Sequence, residues 1–149
     1  MVKLSACALL LLVSCGSNAD ETDQTDQSQE GTECTDDVDR TSLDTKYGSD
    51  GKEPEQLAAI CSVTCYFVTE RLDCITDCIR EGTGDELSRP CSGCLALAAE
   101  CASAYCAMPC SIDPTVEECV SCRCGDNEPM LNCEEVYEDC SGIISAVCR

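Results

Sequence analysis

The pattern of apolar and polar positions divides the chain into three parts. A basic start at Lys3 is followed by an apolar run from Leu4 to Val13. Residues 16–56 are polar, with almost no apolar clustering, and from residue 57 onward apolar side chains and cysteines recur at helical spacing. This predicts a signal peptide at 1–14, a spacer at 15–56 that is disordered beyond its first residue, and a folded domain at 57–149.

Within the third part, the spacing of apolar positions predicts a helix that begins at Pro54. Apolar or cysteine side chains then recur at intervals of four, four, three and four residues, at Leu57, Cys61, Cys65, Val68 and Leu72. We expect a turn near Arg71–Asp73 and a second short helix that carries Cys74 and Cys78 and ends at Gly82. One long helix is the alternative.

Proline and glycine predict three further helices. They cover residues 91–108, 113–125 and about 129–140, with Arg89-Pro90 and Asp113-Pro114 as start signals and Gly142 as a breaker. No segment shows the alternation and hairpin turns of strands. Short stapled helices are therefore predicted, with mixed loops as the alternative.

Cysteine content changes this picture most. The chain has 18 cysteines, and fifteen of them lie between Cys61 and Cys148. A domain so small, with one phenylalanine and no tryptophan, buries too little apolar surface to fold without cross-links. The predicted fold class is a small, disulfide-rich, mainly α domain with up to eight disulfides. Such bonds require an oxidising compartment, so the composition predicts export.

Two cysteine pairs indicate their own connectivity. Residues four apart lie one above the other on a helix face, so two such pairs on antiparallel helices form two nested bridges. We predict Cys61–Cys78 and Cys65–Cys74. The pairing of the other twelve stays open; they are Cys34, Cys91, Cys94, Cys101, Cys106, Cys110, Cys119, Cys122, Cys124, Cys133, Cys140 and Cys148.

The end of the leader carries a more specific motif. Leu12-Val13-Ser14-Cys15 resembles the lipobox of bacterial lipoproteins, which implies cleavage before Cys15 and its modification with diacylglycerol and a fatty acid such as palmitate. Gly16 and Ser17 follow it, which is compatible with the outer membrane. Ordinary secretion is the alternative, because Ser17-Asn18-Ala19 is a small-x-small cleavage site. Both cleavages leave the same sixteen cysteines for the folded protein, an even number, because Cys15 is either acylated or removed.

The acidic balance of the chain restricts its partners. The net charge is −20, and residues 20–55 contain thirteen acids and three bases. Such a charge excludes nucleic acid and anionic surfaces as electrostatic partners and keeps the predicted spacer extended. Cys34 is the exception within that spacer; it either attaches the spacer to the domain or pairs between molecules.

Catalytic patterns are scarce in this sequence. Without histidine there is no Ser-His-Asp or Cys-His mechanism. The acidic pairs Glu117-Glu118 and Glu134-Glu135 point apart on a helix. Cys91-x2-Cys94 and Cys119-x2-Cys122 lack the alternating strands and helices of thioredoxin, in which such motifs carry out disulfide exchange.

The main alternative to a disulfide scaffold is a thiolate store for Cu(I) or Zn(II). The export signal counts against this alternative. We therefore predict no enzyme, no cofactor and no metal.

Residues 91–142 carry a second resemblance. Cys91-Ser-Gly-Cys94, Cys101, Cys106-Ala-Met-Pro-Cys110, Cys119-Val-Ser-Cys122 and Cys140-Ser-Gly are similar to the cysteine-rich lipoproteins of myxobacteria and their relatives. The spacing around Cys124 departs from that pattern. The resemblance implies a lipoprotein and supplies no activity.

The sequence therefore predicts a lipid-anchored, non-catalytic binding or structural module at the cell surface or in the periplasm. A secreted soluble effector is a further alternative. A protein partner is indicated only by four aromatic residues, Tyr66, Phe67, Tyr105 and Tyr137. We expect them mainly to fill the core or cover disulfides, with partner contact as the alternative.

Overall fold

The computed structural model describes residues 32–110, 116–126 and 132–148. These residues form helices joined by short turns and one isolated antiparallel bridge between Tyr47 and Lys52. The predicted mainly α, disulfide-rich fold class is thereby confirmed. The helices are α1 (Asp37–Leu43), α2 (Pro54–Thr64), α3 (Arg71–Gly82), α4 (Arg89–Tyr105), α5 (Ala107–Cys110), α6 (Glu117–Arg123) and α7 (Cys133–Ser141).

Several helix ends lie where the sequence signals place them. Pro54 occupies the first turn of α2, and Glu53 and Gln56 form a capping box there. Helix α4 begins at Arg89-Pro90 behind Ser88, whose hydroxyl accepts the backbone N–H of Cys91. Gly142 ends α7 with a φ of 71°, a conformation that side chains with a Cβ rarely adopt.

Other boundaries differ from the prediction. The turn of the α2–α3 hairpin lies at 65–70, so Arg71 begins α3 instead of forming the turn. The backbone N–H of Val68 bonds to the carbonyl of Cys65 within the turn, and the N–H of Cys74 bonds to the carbonyl of Glu70 at the start of α3. The inner bridge Cys65–Cys74 closes the loop that contains this turn. The predicted helix 91–108 is interrupted at Cys106, after which the short α5 begins.

The helices predicted at 113–125 and 129–140 are shorter in the structure. Helix α6 begins at Glu117 behind Val116, and α7 begins at Cys133 behind Asn132, whose side chain caps it. The backbone N–H groups of Cys119 and Val120 both bond to the carbonyl of Val116, which fixes that start. Asp113, Pro114 and Pro129 lie outside the described residues.

The fold extends further toward the N-terminus than predicted. Residues 32–56 belong to the domain, which corrects the predicted disordered spacer for this part; residues 15–31 lie outside the described residues. The reason is specific polar bonding, which hydropathy does not register. The carboxylate of Asp39, 1% exposed, accepts the backbone N–H of Ser88 at 2.7 Å and its hydroxyl at 2.6 Å.

Helix α4 is the centre of the described fold, with α2, α3 and α7 packed against it. Its buried face carries Cys91, Cys94, Leu95 and Ala96. Five of the twelve buried residues of the main core cluster are cysteines, so disulfides supply much of the apolar interior. The chain therefore compensates for its lack of aromatic side chains with covalent cross-links.

Replacement of Asp39 with alanine tests how α1 is held. The change leaves the Ser88 N–H, at the start of α4, without its acceptor, so we expect a loss of about 2–3 kcal/mol of stability. Thermal unfolding followed by circular dichroism, with disulfides intact, measures it. Asp37→Ala in the same helix is the control, because Asp37 is exposed; equal effects of the two changes would contradict the role of Asp39.

Candidate functional site

Every cysteine from Cys34 onward is bonded in the structure. The Cα–Cα distances of the bridges run from 4.7 to 5.9 Å, within the range of about 4.4–6.8 Å that disulfides require. The pairs are Cys34–Cys91, Cys61–Cys78, Cys65–Cys74, Cys94–Cys140, Cys101–Cys133, Cys106–Cys122, Cys110–Cys119 and Cys124–Cys148.

The two bridges predicted from four-residue spacing are both present. Cys61 on α2 pairs with Cys78 on α3, and Cys65 at the end of α2 pairs with Cys74. We call such a nested pair of bridges between antiparallel helices a ladder. This first ladder fixes both the register and the turn of the α2–α3 hairpin.

A second ladder joins α4 to α7. Cys94 and Cys101 are seven residues apart, as are their partners Cys140 and Cys133. Seven residues are two helical turns, so both pairs present their sulfurs on one face. The equal spacing is the signal that could have predicted this connectivity from the sequence, which we left open.

A third ladder joins α5 to α6, with Cys106–Cys122 outside and Cys110–Cys119 inside. It repeats the first: the inner bridges of both close over nine residues, and the outer ones over 17 and 16. The sequence contains this repeat in the numbers of residues between successive cysteines. These numbers are three, eight and three in the first ladder, and three, eight and two in the third. Two disulfide-closed hairpins therefore flank the central helix α4 along the chain.

The two Cys-x-x-Cys motifs are not built as exchange sites. Disulfide exchange uses a bond between the two cysteines of the motif. Here Cys91 and Cys94 bond to Cys34 and Cys140, and Cys119 and Cys122 bond to two different residues of the α5 region. Both motifs thus act as branch points that connect separate segments.

Metal ligation would require thiolates. Among residues 32–110, 116–126 and 132–148, no three acidic or cysteine side chains are grouped as a metal site. All sixteen of the cysteines from Cys34 to Cys148 are held as disulfide sulfurs. A thiolate store would therefore begin only after reduction of this framework.

The two acidic pairs named in the sequence analysis differ in how far their side chains are buried. Glu117 and Glu118 are exposed in the first turn of α6. Glu134 is buried at the start of α7, whereas Glu135 is exposed. Neither pair forms a shared site of two facing carboxylates.

Glu134 is instead the centre of a buried ionic cluster. Its carboxylate pairs with Arg123 of α6 and accepts the hydroxyl of Ser145 at 2.6 Å. Arg123 also lies 3.9 Å from the carboxylate of Glu55 on α2. The cluster therefore joins α2, α6, α7 and the C-terminal segment. Because Glu134 is buried against a cation, removal of either partner alone would leave an unpaired buried charge.

Burial raises two pKa values beside this cluster. The pKa of Glu55 is raised, first by burial; Arg123 opposes the rise and the negative charge of Glu134 adds to it. Burial also raises the pKa of Tyr137 to about 12. Nearby negative charge adds to both shifts, because it disfavours a further negative charge.

The four aromatic candidates occupy different environments. Tyr137 is buried in the core, as expected. Tyr66, Phe67 and Tyr105 are exposed, which corrects the expectation that they fill the core or cover disulfides. Phe67 is the single phenylalanine of the chain and is 94% exposed. Cysteine, isoleucine and leucine fill the interior in its place.

No protein family, curated protein or solved structure matches the chain. The resemblances to the lipobox and to myxobacterial lipoproteins therefore stay predictions. Of the helices described in the structure, none has the length and hydropathy needed to cross a membrane. The features of the described residues that bear on function are therefore structural ones: the disulfides, the buried ion pair and the exposed aromatic side chains.

Replacement of Arg123 with leucine tests the buried cluster. The change leaves the Glu134 carboxylate buried without its cation, so we expect a loss of about 3–5 kcal/mol of stability. The double variant Arg123→Leu/Glu134→Leu should recover most of it, because no buried charge remains.

Thermal unfolding with disulfides intact measures these changes. Lys46→Leu is the control: it removes an exposed ion pair with Glu53 and should cost less than about 1 kcal/mol. A double variant as unstable as Arg123→Leu alone would show that the charge pair is not the cause.

Proposed function

We propose that this chain is an exported, lipid-anchored lipoprotein whose cysteine-rich domain is a non-catalytic binding or structural module at the cell surface or in the periplasm. The observation that carries this proposal is the complete use of cysteine. All sixteen cysteines downstream of the leader and the lipobox form eight disulfides. This number of disulfides indicates an oxidising, exported environment.

The lipid anchor is supported by the sequence. Leu12-Val13-Ser14-Cys15 ends an apolar run of signal-peptide length, as a lipobox does. The similarity of residues 91–142 to myxobacterial lipoproteins points the same way. Gly16 and Ser17 are compatible with the outer membrane, because no aspartate stands at the second position.

The fold shortens the proposed spacer. Since the domain includes residue 32, sixteen residues, 16–31, separate Cys15 from it. A stretch of that length reaches at most about 55 Å when fully extended. This length is the upper limit on the distance between the domain and its proposed lipid.

A non-catalytic role is supported by the bonding of the thiol and carboxylate groups that could otherwise react. The cysteines of both Cys-x-x-Cys motifs bond outside their motifs, and the buried carboxylate of Glu134 is neutralised by Arg123. Eight cross-links and a paired core give a domain that resists unfolding and proteolysis. Such rigidity suits a platform that presents a surface.

The anchor is tested by labelling with palmitate in a bacterial host. We expect incorporation into the native chain and none into Cys15→Ala, because the thiol of that residue is the proposed acceptor. Cys7→Ala is the matched control, since Cys7 lies inside the leader and its loss should leave labelling unchanged. Equal labelling of Cys15→Ala and the native chain would refute the anchor and favour ordinary secretion.

The cysteine framework is tested by intact mass without reductant, with counts of free thiols and of bound metal. We expect a mass lower than that of the reduced chain by sixteen hydrogen atoms, the sum for eight disulfides, with no thiol and no metal. Many free thiols with stoichiometric copper or zinc would replace this proposal with a metal store.

A further inference from the structure

Helix α2 is apolar on two faces, and only one of them is covered. Its inner face carries Ala58 and Cys61, which are buried against the core. Its outer face carries Ile60 and Val63, which are exposed. A surface helix normally opposes one apolar face with a polar one. The second apolar face of α2 therefore has no explanation in the packing of the described residues.

The outer face continues into the turn that follows. Ile60, Val63 and Phe67 stand at intervals of three and four residues, and Val63 and Phe67 are 76% and 94% exposed. Beside Ile60 and Val63 lies a shallow open groove, which is also lined by Lys52, Gln56, Ala59 and Thr64. We call Ile60, Val63, Tyr66 and Phe67 the outer patch. The backbone N–H of Tyr66 bonds to the carbonyl of Val63 at 3.3 Å, which places the aromatic pair directly after the helix face. Clusters of exposed apolar side chains mark interaction sites.

The aromatic end of the outer patch is held in place. The rings of Tyr66 and Phe67 meet edge to face with centroids 5.0 Å apart. The guanidinium of Arg71 lies over the Tyr66 ring at 5.0 Å and donates a hydrogen bond to Ser103 of α4. The bridge Cys65–Cys74 closes the base of the turn. Side chains fixed before binding lose little entropy when a partner is bound.

The aromatic end of the outer patch lies away from the point where the chain enters the domain. Helix α4 gives the scale: Cys34 is bonded to Cys91 near its start, and Arg71 contacts Ser103 near its end. Twelve residues of helix separate these two positions, or about 18 Å along the axis. In a lipid-anchored chain the aromatic end of the patch is thus displaced from the tether.

Charge determines which partner fits this patch. The chain carries a net charge of −20, so a second copy is repelled. Lys52, which lines the groove, is neutralised by Asp50 at 2.6 Å. At the other end the exposed carboxylate of Glu70 has no cationic partner among the described residues, while the guanidinium of Arg71 lies over the Tyr66 ring. The edge of the patch thus carries both signs of charge, and the net charge of −20 makes the long-range field one that attracts cations.

We infer that the outer patch binds the apolar face of a cationic protein segment. Phe67 and Val63 supply the apolar contact, and the acidic surface supplies steering and excludes acidic partners. This inference rests on the proposed function, of which it specifies the partner. It does not depend on the lipid anchor.

The test uses a synthetic amphipathic peptide of lysine and leucine, about 18 residues long, with one tryptophan on its apolar face. The chain itself contains no tryptophan, so the emission of the peptide reports its burial directly. The protein is the full mature chain with the substitution Cys15→Ser, which removes the lipid and keeps the sixteen other cysteines. We expect a blue shift of emission and saturable binding.

Substitutions locate the contact. Phe67→Ser should weaken binding by about tenfold or more. Val38→Ser is the matched control: Val38 is also an exposed apolar residue, at 67%, but it lies on α1, and its change should alter the Kd by less than about twofold. Both variants are checked for eight disulfides by intact mass, so misfolding is distinguished from lost contact.

Three outcomes would overturn the inference. In the first, Phe67→Ser binds the lysine–leucine peptide as tightly as the native chain does, or the native chain binds a lysine–serine peptide with the same affinity. Either result would attribute the binding to charge alone. Dimerisation abolished by Phe67→Ser would make a second copy the occupant. Binding to phosphatidylcholine vesicles that Phe67→Ser abolishes, without peptide binding, would make the membrane the occupant. All three leave the palmitate and disulfide results unaffected, so failure here is separable from failure of the proposed function.

Discussion

The covalent pairing of antiparallel helices is the constraint on which the rest of this structure depends. Six of the eight disulfides form three ladders, and each ladder fixes the register between two helices. The remaining two bridges attach the ends of the described domain, at Cys34 and Cys148. A chain with so few large apolar residues lacks the buried area to select one packing by hydrophobic contact alone. The cross-links make that selection instead.

The sequence was informative where local geometry decides the outcome. Helical spacing and capping residues predicted the starts of α2 and α4, and the four-residue spacing predicted the first ladder. It failed where distant contacts decide. Residues 32–56 are polar enough to read as a spacer, yet Asp39 holds α1 to the start of α4 through Ser88, 49 positions away. Hydropathy does not register such a bond.

The candidate site shows the same division. Cysteine spacing contained two further ladders, because equal intervals on two helices leave few ways to pair them. The exposure of Phe67 and the burial of Glu134 were not predictable, since both depend on which helix covers which face. An isolated apolar residue is more often internal, and an isolated acid more often external. Departures from both tendencies in one small domain are informative about function and stability.

The bridge between Cys34 and Cys91 has a consequence for biogenesis. An exported chain emerges with its N-terminus first, so Cys34 reaches the oxidising side 57 residues before its partner. The four cysteines of the first ladder emerge in between, and each can capture Cys34 in a wrong bond. The closed loops of that ladder, over nine and 17 residues, form at lower entropic cost than the long one. Closure of the first ladder therefore competes with capture of Cys34, and a captured Cys34 can reach Cys91 only through a further thiol–disulfide exchange. The order in which the cysteines emerge thus makes Cys34–Cys91, which attaches α1 to α4, a late bond of the framework.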